Sequence, residues 1–232
     1  MTQGLPTFKT VLLEVEGTVA TLTLNRPDAL NAIDVAMARD LQQAAQWLET
    51  RKAIRVVRLR AAGKAFCAGG DISMFTGDPA QVRSTLQDLF TPLNDFISRI
   101  GRMDKVWLAQ THGVAAGAGL SLVLACDLAI ADAGTRYMTA YLKLGATPDA
   151  GMTHGLTRVL GSRRALDLLL RHDAFTASDA LAWGILTRVA PAGELDTAAK
   201  GYADELARHA PHGIAGAVSY THLRAHETRH DL

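Results

Sequence analysis

The sequence lacks the features that mark a secreted, membrane-spanning or nucleic-acid-binding protein. It has only two cysteines, Cys67 and Cys126, too few for a disulfide framework or a cysteine metal site. Its 24 basic and 23 acidic residues nearly cancel, so no strong positive field attracts nucleic acid. No apolar run reaches the length of a membrane span, and the opening MTQGLPTFKT has neither the basic nor the apolar region of a signal peptide. We therefore expect a cytoplasmic protein that binds neither nucleic acid nor a membrane.

The sequence does have enough length and apolar content for a substantial core. With 232 residues and 48% hydrophobic residues, it predicts one large globular domain, or one domain with an appended helical piece. Strand patterns come first, then alternating strands and helices, then mostly helices, which predicts an α/β fold.

Two glycine-rich turns about fifty residues apart carry the strongest signal. GKAFCAGGDI (63–72) and HGVAAGAGLSL (112–122) each follow an apolar run typical of a strand, namely 54–60 and 106–110. Their glycines and alanines leave the main chain bare, so a carbonyl oxygen can approach the backbone N–H groups directly. The pair predicts a site that polarises a carbonyl.

Other glycine-rich motifs do not fit these letters. A dinucleotide fingerprint would need a third glycine or alanine where Leu122 stands, and a phosphate-binding P-loop would need Ser or Thr after Gly63-Lys64. A nucleophile elbow would need a glycine where Val123 stands, so Ser121 is a poor nucleophile. The remaining alternative is that both segments are ordinary tight turns between strands and helices.

The local patterns predict several elements with defined ends. Strands at 11–16 and 19–24 alternate around Gly17-Thr18 as in a hairpin, and Asp34 is placed to cap a helix that reaches about Thr50. A long helix is predicted over 80–100, between the two glycine turns, and residues from 150 onward are predicted to be helical.

Five ordered motifs are similar to those of the crotonase superfamily, the enoyl-CoA hydratases and isomerases. They are NRPDALNAI (25–33), GKAFCAGGDI (63–72), HGVAAGAGLSLVLACDLAIA (112–131), AYLKLGATPDAG (140–151) and AWGILTRV (182–189). The resemblance covers about residues 10–217. It implies an α/β fold with a stacked ββα spiral core and C-terminal helices, assembly into homotrimers or hexamers, and an acyl-CoA thioester as substrate.

The resemblance also implies roles for particular residues. The backbone amides of Gly70 and Ala118 would hold the thioester carbonyl oxygen, and Asp149 would be the catalytic base. The residues expected to contact the acyl-CoA are Arg26, Ala29, Ala68, Gly69, Asp71, Ile72, Gly117 and Tyr141. No metal is expected, and no cofactor beyond the coenzyme A of the substrate.

The family resemblance divides the chain into three parts. Residues 1–190 are expected to form the spiral core, residues 191–217 to begin the C-terminal helical region, and residues 218–232 to be an atypical tail. The family continues with more helix past Ala217, so we expect the chain to be truncated there. The closing SYTHLRAHETRHDL resembles a translated vector or adapter sequence. Three of its histidines, at 222, 226 and 230, would share a helix face, but no partner set for zinc accompanies them.

Departures from the family pattern narrow the expected reaction. Hydratases of this family hold one water between two glutamates, whereas Ser121 and Tyr141 stand at those positions, and hydroxyl groups remain protonated at neutral pH. Asp149 matches the aspartate of the isomerase branches, so isomerisation of an enoyl-CoA is favoured. The branch that uses this aspartate as a nucleophile on aryl-CoA substrates has a tryptophan where Tyr141 stands.

Several alternatives remain open from the sequence. The enzyme could be an enoyl-CoA hydratase or an isomerase of ring-epoxidised phenylacetyl-CoA, which the TPDAG stretch (147–151) also resembles. A non-catalytic acyl-CoA-binding relic is an alternative of another class. Asp149 could also serve as the N-cap of a helix that begins at Ala150.

Overall fold

The computed structural model describes residues 4–171 and 173–227. Its strands are β1 (Val11–Glu16), β2 (Val19–Leu24), β3 (Val56–Ala61), β4 (Val106–Thr111), β5 (Val114–Ala116), β6 (Leu128–Asp132), β7 (Arg136–Met138), β8 (Phe175–Thr176) and β9 (Arg188–Ala190). Its α-helices are α1 (Val35–Glu49), α2 (Pro79–Ile100), α3 (Ala118–Ala125), α4 (Met152–Arg171), α5 (Ala177–Ala182), α6 (Leu195–Ala207) and α7 (Pro211–Glu227). Short 3-10 helices cover Pro27–Ala29, Ile72–Phe75 and Tyr141–Leu144.

The strands form two sheets. The larger has the order β1-β2-β3-β4-β6-β9, and all its neighbouring strands are parallel except the β1–β2 pair. The smaller sheet has the order β5-β7-β8. The predicted hairpin is confirmed, because β1 and β2 pair antiparallel with Glu16 opposite Val19 across the Gly17-Thr18 turn. Parallel pairs need crossover connections, and α1, α2 and α3 supply three of them.

One face of the larger sheet is covered by α1 and α2. The side chain of Asp34 accepts a hydrogen bond from the Met37 backbone N–H at 2.8 Å, which confirms the predicted N-cap of α1. The apolar stripe of α1 is fully buried in the main core. In the same core, the ring of Phe96 from α2 meets the ring of Trp107 from β4 edge to face. The long predicted helix is also confirmed, since α2 begins at Pro79 and ends at Ile100.

The opposite face of the larger sheet is covered by α6. Val56 of β3 and Leu108 of β4 pack in a second apolar cluster with Ala199 and Tyr202 of the helix. This cluster combines residues assigned to the expected spiral core with residues of the expected C-terminal region. The expected boundary at residue 190 therefore runs through one packed cluster. The division of the chain into three parts stays a prediction.

The region after residue 150, predicted to be mostly helical, contains two short strands. β8 and β9, of two and three residues, add to the edges of the two sheets, and the pattern of so short a strand is not visible beside long helical patterns. Gly161 interrupts α4, since its φ of 73° is not helical. Thr176 caps α5 in a reciprocal capping box with Asp179.

The expected tail lies partly within the described residues. Up to Glu227 it belongs to α7, which includes His222 and His226, whereas His230 lies outside the described part of the chain. Among residues 4–171 and 173–227, no three histidine, cysteine or acidic side chains are grouped so that they could hold a metal ion. In the same part of the chain, no helix combines the length and apolarity needed to cross a bilayer.

The contact between α3 and the first glycine turn predicts a large mutational effect. A methyl group at Gly119 would overlap the carbonyl oxygen of Cys67 and lie 2.8 Å from its Cβ. We expect Gly119→Ala to lower the free energy of unfolding by about 1–3 kcal/mol, because a packed backbone has to move. The measurement is urea unfolding followed by circular dichroism.

Gly201 supplies the matched control for this substitution. It lies exposed within α6 with nothing within 4 Å of an added Cβ. Gly201→Ala should therefore stabilise the protein by about 0.5–1 kcal/mol, as alanine does in an open helix position. Equal stability changes at the two glycines would contradict the close approach of α3 to Cys67.

Candidate active site

The fold brings the two glycine turns into direct contact. Cys67 pairs with Ala115 as an isolated parallel bridge, and the Ala116 N–H donates to the Cys67 carbonyl oxygen at 3.0 Å. A Cβ built on Gly69 would lie 3.1 Å from the Ala116 oxygen and 3.8 Å from the Ala118 nitrogen. Only a glycine permits this approach, since Gly69 also has a φ of 107°. The two segments therefore present their backbones to one place.

Among the described residues, the pairing of its neighbours leaves the Gly70 amide without a backbone partner. The Gly69 carbonyl accepts from the Ile33 N–H at 2.8 Å, and the Asp71 N–H donates to the Ile33 carbonyl at 2.9 Å. In an extended segment successive residues point to opposite sides, so the Gly70 N–H is directed away from Ile33. Within the described residues, no backbone acceptor pairs with it.

The position of Ala118 at the start of α3 leaves its amide without a partner among residues 4–171 and 173–227. The Gly117 N–H donates to the Met138 carbonyl at 3.0 Å, and Gly117 then turns the chain with a φ of 50°. Ala118 is the first helical residue, and the first N–H groups of a helix have no acceptor within the helix. The residues that the structure describes offer it no side-chain cap either. The positive end of the α3 dipole adds to the attraction for negative charge.

Gly70 and Ala118 both line one cavity of about 630 Å³. Its wall is mostly apolar. The lining residues are Ile33, Ala68, Gly69, Gly70, Ile72, Phe75, Leu86, Leu89, Phe90, Leu93, Gly117, Ala118, Ala140, Tyr141, Leu144, Ala146, Thr147, Pro148 and Asp149. Eight of the eleven residues for which the sequence predicted a role in the site are among them. The chamber is large enough for a small ligand.

One wall of the cavity comes from residues that the sequence did not single out. Leu86, Leu89, Phe90 and Leu93 follow each other on one stripe of α2, and Phe75 lies just before that helix. Their i, i+3, i+4, i+7 spacing is that of any helix face packed on a core. The spacing predicts that this face of α2 is buried. Only the tertiary structure shows that these four residues line a cavity.

Asp149 lies in the cavity wall beside Tyr141. The Tyr141 hydroxyl donates to Oδ1 of Asp149 at 2.6 Å, and Tyr141 itself is buried. Burial raises the pKa of Asp149 above its ordinary value, and the hydrogen bond from Tyr141 opposes part of that rise. Ser121 lies next to both, with its Oγ 3.5 Å from the Tyr141 hydroxyl and 3.4 Å from the Asp149 backbone oxygen.

The structure does not support Asp149 as a helix cap. The helix begins at Met152, two residues later than expected, because Ala150 and Gly151 have φ values of 48° and 75°. The Met152 N–H donates to the backbone oxygen of Asp149 at 2.9 Å, while the carboxylate accepts from Tyr141. The side chain is thus available to the cavity rather than to the helix.

The other three residues singled out from the sequence lie outside the cavity wall. Arg26 forms ion pairs with Asp34 at 3.2 Å and with Asp71 at 3.3 Å, and it donates to the Ala32 carbonyl. Asp71 caps the 3-10 helix that follows it, and the hydrogen bond from the Ser73 side chain is the main reason why its pKa is lowered. Ala29 ends the 3-10 helix after Arg26. These contacts tie the loop after β2 to the first glycine turn, and a role in binding substrate stays a prediction.

Comparison of the sequence with known proteins shows the family of the chain. A model of the family described as enoyl-CoA hydratase/isomerase matches residues 14–230. The chain belongs to this family. It is 35% identical over 203 residues to 1,2-epoxyphenylacetyl-CoA isomerase of Escherichia coli K12. The aligned region spans 86% of this chain and 75% of that protein.

Solved structures of the family have the same fold. A putative enoyl-CoA hydratase from Streptomyces coelicolor superposes with a TM-score of 0.87 and 30% identity, over 97% of this chain and 84% of that one. A putative enoyl-CoA hydratase from Thermobifida fusca, in complex with CoA, gives a TM-score of 0.85 and 27% identity, over 96% and 87%. The expected crotonase-like α/β fold is confirmed.

The raised pKa of Asp149 predicts how its replacement changes stability with pH. The folded protein binds the proton more tightly than the unfolded chain, so ionisation costs stability as the pH rises through the folded pKa. Asp149→Asn should therefore have a higher melting temperature than wild type at neutral pH, and the difference should vanish in acid. Calorimetry or circular dichroism at a series of pH values measures it.

Asp179 provides a control of opposite sign. Hydrogen bonds from Thr176 lower its pKa, so its ionised form stabilises the folded protein, and that stability is lost as the pH falls through the folded pKa. Asp179→Asn should melt below wild type at neutral pH. If Asp149→Asn also melted below wild type at neutral pH, burial of the ionised Asp149 carboxylate would not lower the stability of the folded protein.

Proposed function

We propose that this protein is an enoyl-CoA isomerase that moves a double bond of an acyl-CoA thioester by proton transfer. The observation that carries the proposal is the meeting, in one cavity, of two unpaired backbone amides and a carboxylate whose pKa is raised by burial. Amides of this kind stabilise an oxyanion, and a buried carboxylate is a stronger base than an exposed one. Together they suit the formation of an enolate from a carbonyl compound.

The reaction follows from these groups. Asp149 removes a proton from C2 of a β,γ-unsaturated acyl-CoA, and the electron pair of that C–H bond moves toward the thioester oxygen. The N–H groups of Gly70 and Ala118 donate to the resulting oxyanion. The proton then returns to C4 as the double bond shifts to C2–C3, which restores the carbonyl group and the carboxylate. No water is consumed.

The side chains around Asp149 favour isomerisation over hydration. Addition of water by the two-carboxylate route needs a second carboxylate beside the first. Among the described residues, Asp149 is the one carboxylate that lines the cavity, and its polar neighbours are the hydroxyl groups of Tyr141 and Ser121. Burial raises the pKa of Tyr141, which therefore stays protonated and cannot replace a carboxylate base.

An acyl-CoA thioester fits the walls of this cavity. Apolar surface for an acyl group comes from the α2 stripe, Phe75 and Ile72. The two amides belong to the two glycine turns, which line the same cavity. The related structure from Thermobifida fusca was determined with CoA, which supports the same carrier for this chain. Coenzyme A would then be part of the substrate, and no further cofactor is needed for the proton transfers.

A ring-epoxidised phenylacetyl-CoA is a second candidate substrate. Phe75 and Phe90 both line the cavity, and aromatic rings pack favourably against an aryl group. The similarity to the Escherichia coli 1,2-epoxyphenylacetyl-CoA isomerase also favours it. Separate assays with cis-3-enoyl-CoA and with the epoxidised aryl thioester distinguish the two substrate classes.

Replacement of the proposed base should remove turnover and leave binding intact. We expect Asp149→Asn to lower kcat for isomerisation of a cis-3-enoyl-CoA by about 10²–10⁴-fold, the contribution typical of a general base. The assay follows the absorbance of the conjugated product, and calorimetric titration measures acyl-CoA binding. Asp167→Asn, on the exposed side of α4, is the matched control and should keep full activity. Full turnover by Asp149→Asn would remove this residue from the mechanism.

Replacement of one oxyanion donor should also reduce the rate. Proline is tolerated as the first residue of a helix, so Ala118→Pro removes the N–H group with little demand on α3. Loss of one such donor typically costs about 2.7–4 kcal/mol, so kcat should fall by about 10²–10³-fold.

Val35→Pro is the control for this backbone substitution. Val35 is the first residue of α1, and it does not line the cavity. It should keep wild-type kcat, and melting curves show whether each variant is folded. If a folded Ala118→Pro variant kept wild-type kcat, the oxyanion would not be stabilised by this amide.

A further inference from the structure

Tyr141 is held firmly where it meets Asp149. It begins a 3-10 helix, its N–H donates to the Thr139 carbonyl at 2.9 Å, and its own carbonyl accepts from the Ala146 N–H at 3.1 Å. Tyr141 is only 8% exposed although it lines the cavity. The backbone hydrogen bonds of Tyr141 and the burial of its ring therefore fix the position of the hydroxyl group.

The hydrogen bond from Tyr141 distinguishes the two carboxylate oxygens of Asp149. Oδ1 accepts the hydroxyl proton at 2.6 Å, a short distance typical of a hydroxyl that donates to a charged oxygen. In the described part of the chain, the other donor to this carboxylate is the backbone N–H of Asp149 itself, and no second side chain donates to it, so no side chain occupies Oδ2. A carboxylate bonded in this way is hindered from rotating about its Cβ–Cγ bond.

The surroundings of this pair contain few other groups that titrate. From α2, the residues that face the cavity are apolar, among them Leu89 and Leu93. From α3, Ala118 lines the cavity and Ser121 contacts the pair. On α4, His154 is exposed and does not line the cavity. Of the described side chains, Tyr141 is thus the titratable one that acts on Asp149.

We infer that Tyr141 is a positioning residue that occupies Oδ1 of Asp149 and so leaves Oδ2 as the single atom that takes the proton from C2 and returns it to C4. The inference rests on the proposed isomerase function and assigns to Tyr141 a role other than contact with the substrate. It deepens that function by naming the atom through which the proton passes.

The proton and electron balance of the step is complete without another reactant. Oδ2 gains the C2 proton while the C–H electron pair forms the enolate, and the oxyanion is held by the two amides. The electrons then return to restore the carbonyl group as C4 takes the same proton from Oδ2. Tyr141 keeps its own proton throughout, because burial raises its pKa.

The single-oxygen path makes a prediction about isotope transfer. A substrate dideuterated at C2 passes one deuteron to Oδ2, and a carboxyl group that cannot rotate delivers it to C4 before it exchanges with water. Tyr141→Phe frees the carboxyl group to rotate, so the fraction of deuterium found at C4 should fall. Mass spectrometry and NMR of the enoyl-CoA product measure that fraction.

The same variant should change the pH profile in a defined direction. The hydroxyl of Tyr141 lowers the pKa of Asp149, so its removal raises that pKa. Because the base must be ionised, the acid limb of kcat/KM for Tyr141→Phe should move to higher pH than in wild type. An effect on packing alone would lower the rate without moving the limb.

Tyr137→Phe is the matched control. Its hydroxyl also makes a buried 2.6 Å hydrogen bond, to Thr111, but Tyr137 does not line the cavity. This control should keep both the wild-type acid limb and the wild-type deuterium transfer. If Tyr141→Phe behaved like Tyr137→Phe while Asp149→Asn was inactive, the inference would be overturned and the proposed function would stand. Full turnover by Asp149→Asn would overturn both.

A second substitution keeps the test decisive if Tyr141→Phe does not fold. Incorporation of 3-fluorotyrosine at position 141 retains the shape of the ring and makes the hydroxyl a stronger donor. It stabilises the ionised carboxylate, so the acid limb should move to lower pH, opposite to the effect of Tyr141→Phe. An acid limb identical to that of wild type would overturn the inference.

Discussion

The close approach of two backbone segments is the constraint on which the rest of the structure depends. The turn after β3 and the turn before α3 pack so tightly that methyl groups at Gly69 and Gly119 would crowd Ala116 and Cys67. This contact joins the two strand layers through the Cys67–Ala115 bridge. It also places the unpaired amides of Gly70 and Ala118 on one cavity. The fold and the proposed oxyanion site therefore depend on the same glycines.

The second constraint is electrostatic. Burial of Asp149 raises its pKa, which costs stability at neutral pH and increases the basicity of the carboxylate. The hydroxyl of Tyr141 compensates in part, because it gives the charged group one short hydrogen bond in an otherwise apolar wall. Enzymes often accept such local costs where a base has to work near neutral pH. A second carboxylate in the place of this hydroxyl would repel the charge of Asp149 and could not donate to it when ionised.

Local signals in the sequence predicted the parts of the fold that have local causes. The Gly17-Thr18 hairpin, the Asp34 cap and the two glycine turns depend on residues that are close in the chain. The apolar wall of α2 was not predictable, because the stripe from Leu86 to Leu93 has the same spacing whether it faces a core or a cavity. The hydrogen bond between Tyr141 and Asp149 depends on the path of the chain between them, which includes a 3-10 helix and the positive φ of Gly145. Family motifs indicated that both residues matter, but not that they touch.

The central claim is that this cavity moves protons on an acyl-CoA and does not add water. It is tested most directly by product analysis in water enriched in oxygen-18, with a cis-3-enoyl-CoA and a trans-2-enoyl-CoA as separate substrates. The account predicts that the cis-3 substrate is converted into its trans-2 isomer without oxygen-18, and that the trans-2 substrate is hydrated far more slowly. Rapid formation of 3-hydroxyacyl-CoA that contains oxygen-18, with no isomer formed from the cis-3 substrate, would contradict it.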